Sequence, residues 1–394
     1  MSEALVFAFI LLALLIGYLL GRYRSTATKN VKGTSGGWPQ KRYYQGLNYL
    51  LNDQPDAAID TFISALEVNS DTLETHLALG NLLRRRGETS KAIRVHQNLL
   101  ARPSLSKEQL HLAQIELGVD FLKSGLLDRA ESLFRELVEA KNVSKPLRAK
   151  ALSYLLEVYQ DEREWLQAID VADQLTAKKF SGTPDQWREM QAHYCCELAG
   201  NMLLTKELLE ARRWVRNALR YDKNCVRASL ILAQIELTDL APAQALIVLR
   251  KIPRQNPKFA PEALQLIYEC FQQLQKPAER VVMFRDIYRE HHSLPVLNYL
   301  VEAIAQAQGE DEVVDLLLQE LPAFPQMEAA GELLKVVSEN KSQWVGFNYN
   351  TVKGVLEKLT AARCQYECSN CGFRGEQLHW LCPSCKSWSS IAQR

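Results

Sequence analysis

The residues best placed to do chemistry in this 394-residue chain lie at its C-terminal end. The stretch CSNCGFRGEQLHWLCPSCKSW, residues 368–388, holds two Cys-x-x-Cys knuckles, Cys368 with Cys371 and Cys382 with Cys385, ten residues apart. Thiols at that spacing can be a redox dithiol or half of a metal site. A thioredoxin-like dithiol needs a Cys-x-x-Cys beside a βαβ unit, and no such pattern occurs here. Four thiolates from two short knuckles can converge tetrahedrally on one ion, with Gly372 where the first knuckle must turn and Pro383 inside the second. Such a set has no open coordination position, so with zinc it is structural. Iron fits the same sulfurs and would make the unit an electron carrier. Cys364, four residues before Cys368, is a spare that two regular knuckles do not need.

Elsewhere the chain offers no catalytic set. It has no His-Glu-x-x-His, no phosphate-binding glycine loop and no Gly-x-Ser-x-Gly elbow, so an enzyme is not expected. His76, His96, His111 and His193 fall within helical segments and read as packing residues; His291 and His292 fall at a loop. Cys195, Cys196, Cys225 and Cys270 are scattered through helices and read as buried free thiols. Net charge is +1, from 47 Lys and Arg against 46 Asp and Glu, which gives no basic field to attract nucleic acid. Around the cysteines, Arg363, Arg374, Lys386 and Arg394 are offset by Glu367 and Glu376.

A metal unit of about 30 residues has too small a core to stand alone, and zinc in such sites supplies roughly 10–16 kcal/mol of folding free energy. This one also carries Phe373, Leu378, Trp380, Leu381 and Trp388, more apolar bulk than it can bury. Phe373, Leu378, Trp380 and Trp388 are therefore expected to dock on other elements, with the end of the preceding helices, around residues 352–359, as the nearest surface.

Those elements repeat. In GLNYLLNDQPDAAIDTFISAL, residues 46–66, Gly46, Tyr49, Ala58, Phe62 and Ala65 have the offsets of a tetratricopeptide repeat. An alanine of the second helix recurs at Ala58, Ala92, Ala130, Ala168, Ala211 and Ala245, at spacings of 34, 38, 38, 43 and 34. Small residues at fixed points let two helices approach closely, and aromatic and Leu positions fill the gap to the next hairpin. One hairpin cannot bury its apolar face alone, so such repeats stack into a superhelix with a concave, protein-binding groove. On this grid the groove positions include Tyr43, Leu47, Leu77, Asn81, Arg84, Leu112, Ile115, Val119 and Leu122. The run Arg84, Arg85, Arg86 closes a helix, where cations suit the dipole, and reads as a solvated end. From about residue 260 the grid blurs, although helical periodicity continues.

At the other terminus, residues 4–20 (ALVFAFILLALLIGYLL) carry no charge, and with Gly21 make about 27 Å of helix, enough to cross a thin bilayer. Arg22, Arg24, Lys29, Lys32, Lys41 and Arg42 follow it, while Glu3 is the charged side chain before it. The positive-inside rule then puts the bulk of the chain on the cytoplasmic side, where nine cysteines are expected as thiols or metal ligands. Polar, Gly- and Ser-containing residues 25–38 read as a flexible tether.

A single N-terminal span with a basic flank, the repeats, and a terminal ECSNCGFRGEQLHWLCPSCKSWS together resemble the lipopolysaccharide assembly protein B family of Gram-negative bacteria. Cys-x-x-Cys-Gly-Phe at 368–373 and Trp-x-Cys-Pro-x-Cys at 380–385 are its most specific pieces. The expected architecture is all-α: a transmembrane anchor (1–24), a tether (25–38), a tetratricopeptide-repeat superhelix (39–260), degenerate helical repeats (261–362), and a small rubredoxin-like zinc tab with four cysteine ligands (363–394). The resemblance implies an adaptor in the inner membrane, single-pass and cytoplasm-facing. It implies as partners a membrane-bound AAA+ metalloprotease, a lipid A pathway deacetylase as client, and an inner-membrane lipopolysaccharide sensor.

Overall fold

The computed structural model describes isolated positions between 44 and 61, then residues 73–101, 105–176, 186–320 and 366–393. The expected anchor and tether, the groove positions Tyr43 and Leu47, the spare Cys364 and the expected seat at 352–359 lie outside these described residues. Among the described residues no helix is long and apolar enough to cross a membrane.

The chain divides into two compact units, one up to Ala151 and one from Leu152. The first contains α1 (Leu73–Arg85), α2 (Thr89–Leu100), α3 (Lys107–Lys123) and α4 (Leu127–Glu139); α5 (Lys145–Glu162) spans the division. The second continues with α6 (Trp165–Thr176), α7 (Gln186–Leu204), α8 (Leu208–Tyr221), α9 (Val226–Thr238), α10 (Pro242–Leu249) and α11 (Ile252–Gln255). A 3₁₀ segment (Pro257–Ala263) leads into α12 (Leu264–Leu274), α13 (Pro277–Glu290), α14 (Leu294–Ala307) and α15 (Glu310–Glu320).

The grid alanines are where the helices press together. Ala58, Ala92, Ala130, Ala168, Ala211 and Ala245 are each 0% exposed. Gly80 and Gly118 carry the same requirement: a Cβ would stand 2.3 Å from the His96 ring at the first and 2.6 Å from Phe134 at the second. Among the described residues, the turns before Ala92, Ala130, Ala168, Ala211 and Ala245 each place one residue in the left-handed region five positions before the alanine. These residues are Gly87, Gly125, Arg163, Lys206 and Leu240. There the next amide reaches back to the helix end, as in Glu88 N–H to Leu83 O at 2.9 Å and Glu207 N–H to Met202 O at 2.8 Å.

The same turn recurs at Gln275 (φ 54°), 35 residues on, where Lys276 N–H reaches Phe271 O at 3.4 Å; Gly309 (φ 108°), a further 34 on, closes the next hairpin differently, with its own N–H on Ile304 O at 3.2 Å. The hairpins thus keep their period beyond 260, where the sequence grid blurs. Five residues after Gln275 the alanine is replaced by Arg280, which is 3% exposed. Its guanidinium lies 4.8 Å from the Tyr268 ring centroid and donates to Gln306 Oε1 at 2.6 Å. A cation stacked on an aromatic face occupies the small-residue position, which is why the pattern vanished from the sequence.

The described C-terminal residues 366–393 are not helical. β1 (Tyr366–Cys368), β2 (Arg374–Gly375) and β3 (Ile391–Gln393) form an antiparallel sheet of order β2-β1-β3. Tyr366 pairs with Gly375 on one side and Gln393 on the other. Its own core is small: Tyr366, Cys368, Cys382 and Ile391, with Phe373 and Leu378 packed against them.

Candidate metal centre and its seat on the helices

The two knuckles are built alike. Cys368 N–H donates to Phe373 O at 2.8 Å and Gly372 N–H to Cys368 O at 2.9 Å; Cys382 N–H donates to Ser387 O and Lys386 N–H to Cys382 O, both at 3.0 Å. Gly372 (φ 73°) and Lys386 (φ 57°) take the left-handed position that this turn requires. The turns bring the four sulfurs of Cys368, Cys371, Cys382 and Cys385 within 4.8 Å of one another. Closest are Cys368 with Cys385 at 3.7 Å and Cys371 with Cys382 at 3.6 Å. That spacing fits four thiolates around one tetrahedral ion with Zn–S or Fe–S bonds of about 2.3 Å. The hydroxyl of Ser387 and the amide of Asn370 pull the Cys385 thiol down to about 5, whereas burial pushes Cys382 up to about 11.

The tab sits on the second unit through its tryptophans. The Trp388 ring stacks on His193 at 4.7 Å and 11°, and meets Trp165 and Tyr194 edge-on at 6.4 and 5.9 Å. Its Nε1–H donates to Gln160 Oε1 at 2.9 Å, an oxygen that also accepts from the Tyr194 hydroxyl at 3.1 Å. The Arg227 guanidinium lies 6.0 Å from the same ring. Trp380 packs on Phe259 at 5.1 Å and lies 6.0 Å from His193. Polar pairs frame these rings: Ser389 Oγ with His193 Nε2 at 2.7 Å, Lys386 with Asp161 at 2.9 Å, and the Tyr366 hydroxyl donating to Glu262 at 3.1 Å. Burial, with Arg227 nearby, holds His193 down at about 3, so the imidazole is neutral in its seat.

The seat is thus made by α5, α6, α7, α9 and the 3₁₀ segment, 104 to 228 residues before the groups they hold. The expected contact with residues 352–359 lies outside the described residues. Among the described residues, Trp165, His193, Tyr194 and Phe259 offer ring faces and Gln160 an acceptor for the indole N–H. Trp380 and Leu378 pack against the core of the second unit, but Phe373 belongs to the tab's own core, where it meets His379 edge-on at 6.2 Å. His193, expected as a packing residue, is an interface residue. Its signal was faint: a buried-face histidine beside Tyr194, one repeat after Gln160.

The expected groove positions in the first unit separate into two groups. Leu77, Asn81, Arg84 and Leu112 are half-buried. Ile115, Val119 and Leu122 are 0%, 4% and 6% exposed, so they are core residues and present nothing to a partner. They lie on α3, whose residues from Leu117 to Leu122 are all buried because α1, α2 and α4 pack around it. Arg84 is not a solvated helix end: it pairs with Glu116 and with Asp120, both at 2.7 Å. Asp120 is fully buried and also holds His96 Nδ1 at 2.5 Å.

Comparison with known proteins follows this geometry. Residues 366–393 match the family described as Rubredoxin metal binding domain, and residues 75–108 match that described as Tetratricopeptide repeat. The chain is 31% identical over 388 residues to the lipopolysaccharide assembly protein B of Escherichia coli strain K12, covering 98% of this chain and 97% of that one. To the protein of the same name from Haemophilus influenzae it is 30% identical over 399 residues, again covering 98% and 97%. A helical-repeat chain that ends in a four-cysteine ribbon, with relatives matched from end to end, belongs to the lipopolysaccharide assembly protein B family.

Proposed function

We propose that this protein is a membrane-tethered adaptor that controls lipopolysaccharide synthesis. In this reading residues 1–24 anchor the chain in the inner membrane, with its bulk on the cytoplasmic side. The helical hairpins receive the lipid A pathway deacetylase and present it to a membrane-bound AAA+ metalloprotease, under an inner-membrane lipopolysaccharide sensor. The observation that carries the adaptor role is the seat. A metal-held tab locked by Trp388 and Trp380 into the middle of a helical unit fixes how neighbouring hairpins stand, and a rigid surface is what a presenting scaffold needs. The names of the relatives support the pathway. Zinc is the proposed ion, since a closed set of four thiolates serving a scaffold needs an ion without redox chemistry.

The test is the half-life of the deacetylase in cells whose copy carries Trp380→Ala, with the metal content of the purified protein measured alongside. Slower turnover with one zinc per chain retained is the expected result. Normal turnover with an undocked, zinc-loaded tab would overturn the adaptor reading of the seat, and a red, reversibly reducible protein would replace zinc by iron.

A further inference from the structure

Beside the seat lies a pair of thiols that the metal does not use. Cys196, on α7, and Cys225, the N-cap of the 13-residue α9, bring their sulfurs to 3.9 Å. Cys225 also lines a cavity of about 670 Å³ bounded by α7, the α8–α9 turn, the 3₁₀ segment and the tab, with Arg188, Arg220 and Lys223 and the carboxylates of Glu189 and Asp222 in its wall. Cys225 thus borders the cavity, 4% exposed, at a helix N-terminus where the dipole favours an anion, and Cys196 is 0% exposed. We propose that Cys225 and Cys196 form a peroxide-reactive dithiol, with Cys225 the attacking thiol and Cys196 the resolving one.

The electrostatics divide the roles in the same way. The hydrogen bond from Cys196, with the backbone N–H of Ala228, lowers Cys225, while burial pushes Cys196 well up. Cys195, next in sequence, is pushed up to about 12 by burial. The thiolate is the nucleophile, so Cys225 reacts first. Its sulfur attacks the outer oxygen of a hydroperoxide; the O–O bond breaks, an S–O bond forms, and the departing alkoxide or hydroxide takes the proton lost by the thiol. Cys196, losing its own proton, then attacks the sulfenic sulfur; an S–S bond forms and the S–O bond breaks, releasing water. Two thiols are oxidised by two electrons and one hydroperoxide is reduced. The sulfurs must close from 3.9 Å to about 2.05 Å.

The test uses the reduced, metal-loaded full chain in detergent, titrated with hydrogen peroxide, then alkylated under denaturing conditions and digested with trypsin without reduction. The expected product joins residues 189–206 to residues 224–227 and is two hydrogens lighter than the separate peptides. It should form at doses that leave the tab cysteines on their metal. Cys195→Ser should keep the link and Cys196→Ser should abolish it, leaving Cys225 as a sulfenic acid that dimedone traps. The proposal is overturned if Cys196 and Cys225 both stay fully alkylatable while the tab cysteines oxidise. A link that survives Cys196→Ser overturns it too, as does a sulfenic acid at Cys225 that accumulates in the unsubstituted protein without the link.

Discussion

At Trp388 an indole face, an indole edge and an indole N–H are each met by a different group: His193, Trp165 with Tyr194, and Gln160. Truncating it removes the packing and leaves the His193 face open. Trp388→Ala should therefore cost about 2–3 kcal/mol of the tab's attachment, while Cys368, Cys371, Cys382 and Cys385 keep their ion. Hydrogen exchange should rise across residues 366–393 with metal content unchanged; unchanged exchange would mean that the polar frame alone holds the tab. His193 gives the seat a pH dependence. Its ordinary value is 6.5 and its seated value about 3, so the free imidazole takes a proton in this interval and the seated one does not. Attachment is full above about 6.5 and weakens as pH falls toward 3, by roughly 1.4 kcal/mol per unit over that range. Exchange in the tab followed from pH 7 to pH 5 should show this, and His193→Gln should flatten it.

Among the elements, the hairpins and the tab depend on different chemistry, and each can be broken separately. Gly118 lets α3 and α4 touch, since a Cβ there would meet Phe134 at 2.6 Å. Gly118→Ala should destabilise the first unit by about 1–3 kcal/mol, read as a lower urea midpoint. Cys385→Ser leaves three thiolates for the ion and removes most of the tab's folding free energy. The expected result is loss of bound metal with far-UV helicity largely retained, together with greater exposure of Trp165, whose ring the tab covers. Collapse of the helical signal would mean instead that the tab is required for the second unit to fold. The reappearance of the hairpin turn at Gln275 belongs to this scale as well. Turn geometry persisted where residue identity did not, because Arg280 can satisfy the buried position by stacking on Tyr268.

For the molecule as a whole, the proposed adaptor role requires that tethering matter more than folding. Confining an adaptor near the bilayer raises its effective concentration toward membrane-bound partners. A chain starting near Trp38 should be soluble and helical yet fail to restore normal deacetylase turnover at native expression. Full restoration would rule out the tether's role. The sequence by itself determined the hairpin period, the fully buried alanines and the four converging cysteines, because each rests on short-range spacing: 3.6 residues per helical turn, and two residues between paired thiols. It did not determine where the tab sits or which expected groove residues are free. Trp388 and Gln160 are 228 residues apart, and no local pattern ties an indole N–H to a glutamine on another helix. Ile115, Val119 and Leu122 share their helix with half-buried Leu112, and only the packing of neighbours around α3 decided which stayed accessible. Contacts of that kind depend on chain segments brought together by the whole fold, so the tertiary structure alone decided them.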